Sequence, residues 1–388
     1  MSWSVNLRAD LPRPSGAGEP TWLSGQPDKK WLNPLDNSAA ISANKHWLGA
    51  SAIVDPVEGG VNHKAVYDAY CGMGWCQVTK SGFTLANGGH VDYFGNEVYS
   101  FDLSANAPQY KRRRNSDAHE GSSGTVTKWS TGRPASDHSG AMLLGAAGEW
   151  LKCGHGGCNY TGNQATKQWW KYDYTTLEDY VDLGVTRSDS DGGTNSVAAV
   201  YDPVNDQIIT VRSSNSSSAK ALAFARRSDK VETGTSTYIF PFGGGVLAAF
   251  DSTNNIVLAK YDGSDTDFYA FKTPYTSNPT LITATGTPAF PRTQNFYWHA
   301  ASGCYVTWNG GQGIGKLTPT GMSGGMYTGL VYSQVTSTTG VTVQSDNFLM
   351  YGKVGLIDNM GGGRSLLVVV SRYAFPDVYA LALPSAGV

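Results

Sequence analysis

The chain is built around a unit that cannot fold by itself. A double glycine, Asn87-Gly88-Gly89-His90, closes one strand. The polar turn at Asp92-Tyr93-Phe94-Gly95-Asn96-Glu97 follows, and the alternating strand Val98-Tyr99-Ser100-Phe101-Asp102-Leu103 leaves it. Alternation places successive side chains on opposite faces of a sheet, so both faces need covering. A single hairpin has nothing to cover them with, which means that relatives of the unit must recur and stack.

They do recur. Ala141-Met142-Leu143-Leu144 turns into Trp150-Leu151-Lys152-Cys153, a second glycine pair stands at Gly156-Gly157, and Trp169-Trp170-Lys171-Tyr172-Asp173 answers the strand at Val98. Four further hairpins keep the pattern without the glycine pair. Their first arms lie at Ala198 to Asp202, Leu247 to Asp251, Phe296 to Trp298 and Gly355 to Asp358. Their second arms lie at Gln207 to Val211, Ile256 to Leu258, Cys304 to Trp308 and Ser365 to Val370. Polar turns between β-branched and aromatic arms are hairpin signals. Third strands follow at Ala221 to Phe224, Phe268 to Lys272 and Val378 to Leu383, and no sustained 3.6-residue period appears, so helices should be few. Tyr201, Phe250 and Tyr297 mark a spacing within the roughly 40–50 residues of propeller blades.

The span from about residue 64 to residue 384 resembles a divergent kelch or galactose-oxidase-like β-propeller, most closely in its first two units. That resemblance implies an all-β fold: one propeller of four-stranded blades, six as counted here, or seven if residues 20–62 hold a degenerate one. The organisation read from it is an irregular N-terminal segment, residues 1–62, followed by a propeller over residues 63–388. The last hairpin has no sequence left for a fourth strand, so the N-terminal segment is its natural donor and would close the ring, serve for docking, or both.

Composition narrows the function classes. With 29 basic and 31 acidic residues and a formal charge of −2, the chain has no long-range pull on nucleic acid or anionic membrane. No window approaches the roughly 18 apolar residues of a membrane span, and the first ten residues do not read as a secretory signal. A protein made in a cytoplasm without a signal peptide, neither binding nucleic acid nor inserting into membrane, is the expectation. Lys111-Arg112-Arg113-Arg114 and Arg226-Arg227 read as solvated blade edges or contacts with an acidic partner subunit. No Gly-x-Ser-x-Gly, P-loop or dinucleotide motif is present.

Two Cys-x4-Cys pairs, Cys71 with Cys76 and Cys153 with Cys158, are the sharpest chemical signal. Together they could complete a zinc tetrahedron, although the spacing is at the loose end for zinc; free core thiols or local disulfides are the plainer alternative, and no cofactor is otherwise expected. Cys304 reads as an ordinary buried thiol. His90 and Asp92 could bind a ligand or metal, or simply hydrogen-bond turn backbone. Trp75, Tyr93, Tyr160, Trp169, Trp298 and Trp308 lie near turns or strand ends, where aromatic faces could stack on sugars or pack between blades. The family covers interaction modules, a copper radical oxidase, and phage and bacterial surface proteins, so fold alone says little about chemistry. The oxidase ligand pattern of two His and two Tyr is poorly matched: His90 and His155 sit at glycine-pair turns, with His138 and His299 elsewhere, and no Tyr-Thr-His-type run stands out.

The functional expectation is a non-enzymatic structural or binding module of a larger assembly. Among relatives, it looks most like a tailed-bacteriophage virion protein of tail, fibre or capsid. There it would meet other virion proteins and present a propeller face for host attachment, with host-surface glycan as one target. The alternatives are a stand-alone carbohydrate-binding lectin and a propeller enzyme, either glycan-cleaving or a copper oxidase.

Overall fold

The computed structural model describes residues 18–35, 72–86, 96–117, 128, 130–134, 142–153, 168–186, 196–213, 222–235, 246–261, 264–275, 277–286, 295–337, 340–343, 353–370 and 378–384. Among them there is no α-helix; the chain is all-β, with one short 3-10 turn at Ala300–Ser302. Three sheets have four antiparallel strands in sequence order. They are β2 (Gly74–Cys76), β3 (Ser81–Leu85), β4 (Val98–Asp102) and β5 (Lys111–Arg114); β6 (Met142–Ala146), β7 (Glu149–Cys153), β8 (Gln168–Asp173) and β9 (Asp179–Thr186); and β10 (Ser196–Asp202), β11 (Gln207–Ser213), β12 (Leu222–Arg226) and β13 (Glu232–Thr235). A fourth sheet joins β22 (Val354–Ile357), β23 (Ser365–Val370) and β24 (Val378–Leu383) to β1 (Trp31–Leu32) from near the N-terminus.

The fifth sheet has eight strands, where the sequence predicts separate blades of four. One half is β14 (Val246–Asp251), β15 (Ile256–Tyr261), β16 (Asp267–Lys272) and β17 (Thr280–Thr285). The other is β18 (Tyr297–His299), β19 (Cys304–Trp308), β20 (Gly313–Ser323) and β21 (Met326–Thr336). Their outer strands join in parallel through Ala284↔Leu330 and Thr285↔Val331. Two features cause the merger. β20 and β21 run for 11 residues each, with register shifts around Gly321 that bend the hairpin. Gly286, at φ +115°, then lets the backbones meet: a Cβ there would stand 1.9 Å from the Tyr332 carbonyl oxygen.

The first strands β2, β6, β10, β14, β18 and β22 touch in cyclic order, with β22 returning to β2. The arrangement is a β-propeller. Each apolar cluster accordingly joins strands from successive positions around the ring: Phe83, Leu85 and Val98 pack on Trp150 and Trp170, for example, and Cys304, Val306 and Trp308 on Val354 and Leu356. The hairpins between first and second strands repeat one another closely. In four of them the fourth turn residue is left-handed: Lys80, Asp206, Asn255 and Gly303, with φ of 51°, 50°, 56° and 60°. The carbonyls of Lys80, Asp206 and Asn255 then accept the amides of Leu103, Arg227 and Thr273 at 3.0, 3.1 and 2.9 Å, anchoring the end of the third strand. Asp202 and Asp251 order their own turns by accepting amides two and three residues on.

Closure concentrates where β22 meets β2. The Trp75 ring of β2 lies against Gly355, where a Cβ would approach ring carbons to 2.2 Å. On the other side the Trp75 carbonyl lies against Gly145, whose Cβ would be 2.2 Å away. Across the same seam, Trp31 and Leu32 pair with Leu381 and Ala380. Arg364 binds Glu19 through Nε and Oε1 at 2.6 Å and donates to the Leu23 carbonyl at 2.8 Å. Trp22 Nε1 reaches the Ala105 carbonyl, 3.1 Å away beside the first sheet. Residues 18–35 thereby fasten the last sheet to the first.

Replacing Gly355 or Gly145 with Ala should cost about 1–3 kcal/mol, because the added methyl overpacks a filled site. Urea unfolding would show it as a lower midpoint at unchanged slope. Gly234→Ala, which meets nothing within 4 Å, is the control; equal midpoints for all three would refute this account of closure.

Candidate functional site

Because neighbouring strands alternate in direction, the propeller has two unlike faces. One carries the short first-to-second-strand turns at 77–80, 147–148, 203–206, 252–255 and 300–303, together with the turn at 358–364. The connections between second and third strands, and those between successive first-strand positions, leave from the opposite face. His90, Asp92, Tyr93, Cys158 and Tyr160 belong to those connections and lie outside the described residues, as does Cys71.

The candidates that are described lie in strands. Trp75 is 8% exposed and meets Phe101 edge-on at 5.9 Å. Trp298 is equally buried, donates Nε1 to Thr253 Oγ1 at 3.1 Å and packs against Tyr305 at 4.9 Å. Trp308 is buried, with Nε1 on the Gly311 carbonyl at 3.0 Å, and Trp169 is buried with Leu151 and Ile208. Sequence reasoning missed a positional rule here. Trp75, Tyr201, Phe250 and Trp298 all stand one residue before the end of a first strand, followed by Cys76, Asp202, Asp251 and His299. An aromatic before a polar or small residue at a hairpin turn is the signal that marks this inter-sheet position.

Cys76 and Cys304 are buried free thiols, and burial pushes the Cys304 thiol up to about 11. Cys153 ends β7, and its backbone pairs with Met142. A Cβ on Gly145 would lie 2.6 Å from Cys76 Cα, and Gly145 pairs with Trp150. Among the described residues, no group of three or more His, Cys, Asp or Glu side chains is placed to hold a metal.

The basic run holds an elaborate polar feature. Lys111–Arg114 forms β5, the outer strand of its sheet, and two of its charges, Arg113 and Arg114, are matched across the neighbouring sheet. Arg113 pairs with Glu178 at 3.2 Å and Arg114 with Asp179 at 2.8 Å; Arg133 grips the same Asp179 with Nε at 2.7 Å. Lys128 binds Asp182 at 2.8 Å. Asn96, fully buried, organises the centre: its Oδ1 accepts the Asp117 amide at 2.8 Å while its Nδ2 donates to Asp117 Oδ2 at 2.9 Å. The cations also lie over rings, Arg113 on Trp150, Arg114 on Tyr180 and Lys128 on Trp170, at 5.6–5.9 Å. Burial alone would raise the Asp117 and Asp179 carboxyls. Hydrogen bonds from Asn96, Arg114 and Thr131 to the first, and from Arg133 and the Tyr180 amide to the second, hold both below the usual carboxylate range instead. Arg113, Arg114 and Lys128 are thus engaged within the molecule, as a strut between two sheets.

No protein-family model matches the chain, and no curated protein does. Solved structures give distant likenesses. A functionally unknown protein from Desulfotomaculum acetoxidans is 13% identical with a TM-score of 0.35, over 53% of this chain and 57% of that one. Glutaminyl cyclase from Myxococcus xanthus is 9% identical with a TM-score of 0.33, over 63% and 91%. A fungal alcohol oxidase of the AA5 family, in complex with copper, is 10% identical with a TM-score of 0.44, over 78% and 58%. The first and third matches span little more than half the length of those proteins. At such values the likenesses carry no argument about activity, and the fold rests on the strand pairing itself.

Asp179→Ala, which strips the shared partner from Arg114 and Arg133, should lower stability at pH 7 by about 1–2 kcal/mol. A carboxyl with a depressed native pKa contributes stability above its unfolded value of about 3.9 and loses it as pH falls through the native value. Asp179→Asn should therefore flatten the decline of thermal stability below about pH 4. An unchanged acid limb would show that the strut does not contribute.

Proposed function

We propose that this chain is a six-bladed propeller serving as a non-catalytic structural and binding module of a larger assembly. The observation that supports this reading best is the division of labour between the two faces. Tight turns, ordered by backbone and Asp side-chain hydrogen bonds, hold one face. The strand ends that flank the longer connections, 87–95 and 154–167 among them, lie at the opposite face, and connections of this kind tolerate sequence change. The blade count rests on six first strands in cyclic contact, with the eight-stranded sheet taken as two blades joined at their outer strands.

The assembly we favour is a tailed-phage virion, as tail, fibre or capsid-associated protein, with partners among other virion proteins. The kelch-like motif at Asn87 to Leu103 and the low charge support that reading. Attachment would use the face of longer connections, and host-surface glycan is the ligand class suited to Tyr93 and Tyr160 there. A stand-alone lectin is the second reading, resting on the same two tyrosines.

Immunolabelling of intact particles with an antibody raised against the purified chain tests the assembly reading. Labelled particles are the expected outcome; chain found only free in the lysate would overturn it. A glycan array probed with the isolated protein separates the lectin, which binds as a monomer, from a module that needs its assembly. Replacing residues 87–95 and 154–167 by short Gly-Ser turns should leave the unfolding midpoint within about 1 kcal/mol of the parent and abolish any glycan signal. Metal analysis should find no stoichiometric zinc; one zinc per chain, lost in Cys76→Ser, would revive the thiolate site.

A further inference from the structure

His299 ends β18 with its imidazole buried, 1% exposed. Its Nδ1 lies 2.7 Å from Ser302 Oγ in its own turn, and its Nε2 lies 3.2 Å from Ser365 Oγ, the first residue of β23. Ser365 in turn donates to Asp358 Oδ1 at 3.0 Å. The Asp358 backbone is held from the first sheet: its N–H donates to Gln77 Oε1 at 2.8 Å, and its carbonyl accepts Lys80 Nζ at 2.5 Å. Gln77 Nε2 also donates to the Leu356 carbonyl at 2.5 Å. One line of hydrogen bonds therefore crosses three successive first-strand positions, on the tight-turn face, at the seam where the ring closes.

We propose that His299, Ser365 and Asp358 form a proton-sensitive seam, in which uptake of one proton by the imidazole in mild acid loosens the joint between β18 and the β22–β24 sheet.

One proton arrangement satisfies the whole line. Ser365 gives its hydrogen to the carboxylate, so its oxygen accepts from Nε2–H, and Nδ1 is left as an acceptor for the Ser302 hydroxyl. A second ring proton, on Nδ1, turns that bond round, since the Ser302 hydroxyl rotates to accept it. It also places a cation where no carboxylate touches it. Of the charged groups facing the imidazole, Asp358 is reached only through Ser365, and Lys80 lies beyond on the Asp358 carbonyl. Across the β18–β19 pair stands Cys304, a neutral thiol. In the preceding sheet the corresponding acid, Asp251, is taken by the Thr253 and Asn254 amides and Tyr327, and next to Ser365 the Arg364 guanidinium is bound to Glu19.

The signs follow from linkage. Burial holds His299 below its ordinary value, so the native state binds fewer protons than the unfolded chain as pH falls through about 6.5, and stability declines there. Burial raises Asp358, whose native carboxyl takes its proton earlier than in the unfolded chain. Its contribution therefore grows as pH falls from its raised native value toward about 3.9, opposite in sign.

The test combines urea midpoints between pH 7.5 and 5.5 with an NMR titration of the His299 imidazole. The parent midpoint should decline across this range, with amide exchange in β18, β22 and β23 rising in step. His299→Gln, which keeps an N–H for Ser365 and takes no proton, should lose most of that decline. A His299 midpoint at or above 6.5, or the same slope in His299→Gln, overturns the proposal. Should the Gln variant fail to fold, the parent titration decides: a His299 midpoint at or above 6.5 refutes the proposal.

Discussion

Everything in this molecule depends on closing a circle of sheets that have no central support but one another. A sheet with two apolar faces is stable only between two neighbours. The first and last sheets must therefore find each other as well as anything between them does. Trp75 meets that demand twice: its ring lies on the bare backbone of Gly355, and its own backbone carbonyl lies against Gly145. The two-residue strand at Trp31 then supplies the missing edge of the last sheet. Glycine at both contacts lets the neighbours approach more closely than any side chain would allow.

The polar groups follow the same logic. Charges that look from a distance like an interaction patch, Arg113, Arg114, Arg133 and Lys128, are spent on tying one sheet to the next. Buried polar residues at the turns do likewise, with Asp251 joined to Tyr327 and His299 to Ser365. The ionisable groups described at these joints are thus part of what holds neighbouring sheets together.

Much of the fold was legible because it is local. Alternation and turn chemistry located hairpins over 198–211, 247–258 and 355–370, which the structure extends by one to three residues at their ends, and the missing last strand pointed to an N-terminal donor. What stayed hidden is non-local. Trp75 and Trp298 read as possible ligand platforms because each ends a strand; that each is covered by a neighbouring sheet depends on Gly355 and Thr253, far away in sequence. The basic run read as a blade edge, which β5 is, but its partner Asp179 belongs to a strand 65 residues on. The merger of β17 with β21 needed the bulges near Gly321 and the bare backbone of Gly286, whose joint effect no local pattern announces. For the site, the connections that hold His90, Asp92, Tyr93 and Tyr160 carry no periodicity from which a geometry could be built.

The strand at Trp31 also has a meaning in time. Its partner Leu381 lies 350 residues further along the chain, since 381 − 31 = 350. During synthesis Trp31 emerges long before the strand that must receive it. Hairpins can form as they appear, each from contacts a few residues apart, but the clasp must wait with an indole that is fully buried in the finished molecule. The clasp at Trp31 is a contact that cannot form until β24 has been made. A ribosome that stalls short of β24 would release an open arc with an unsatisfied edge, a species far more prone to aggregate than any chain carried through to the end.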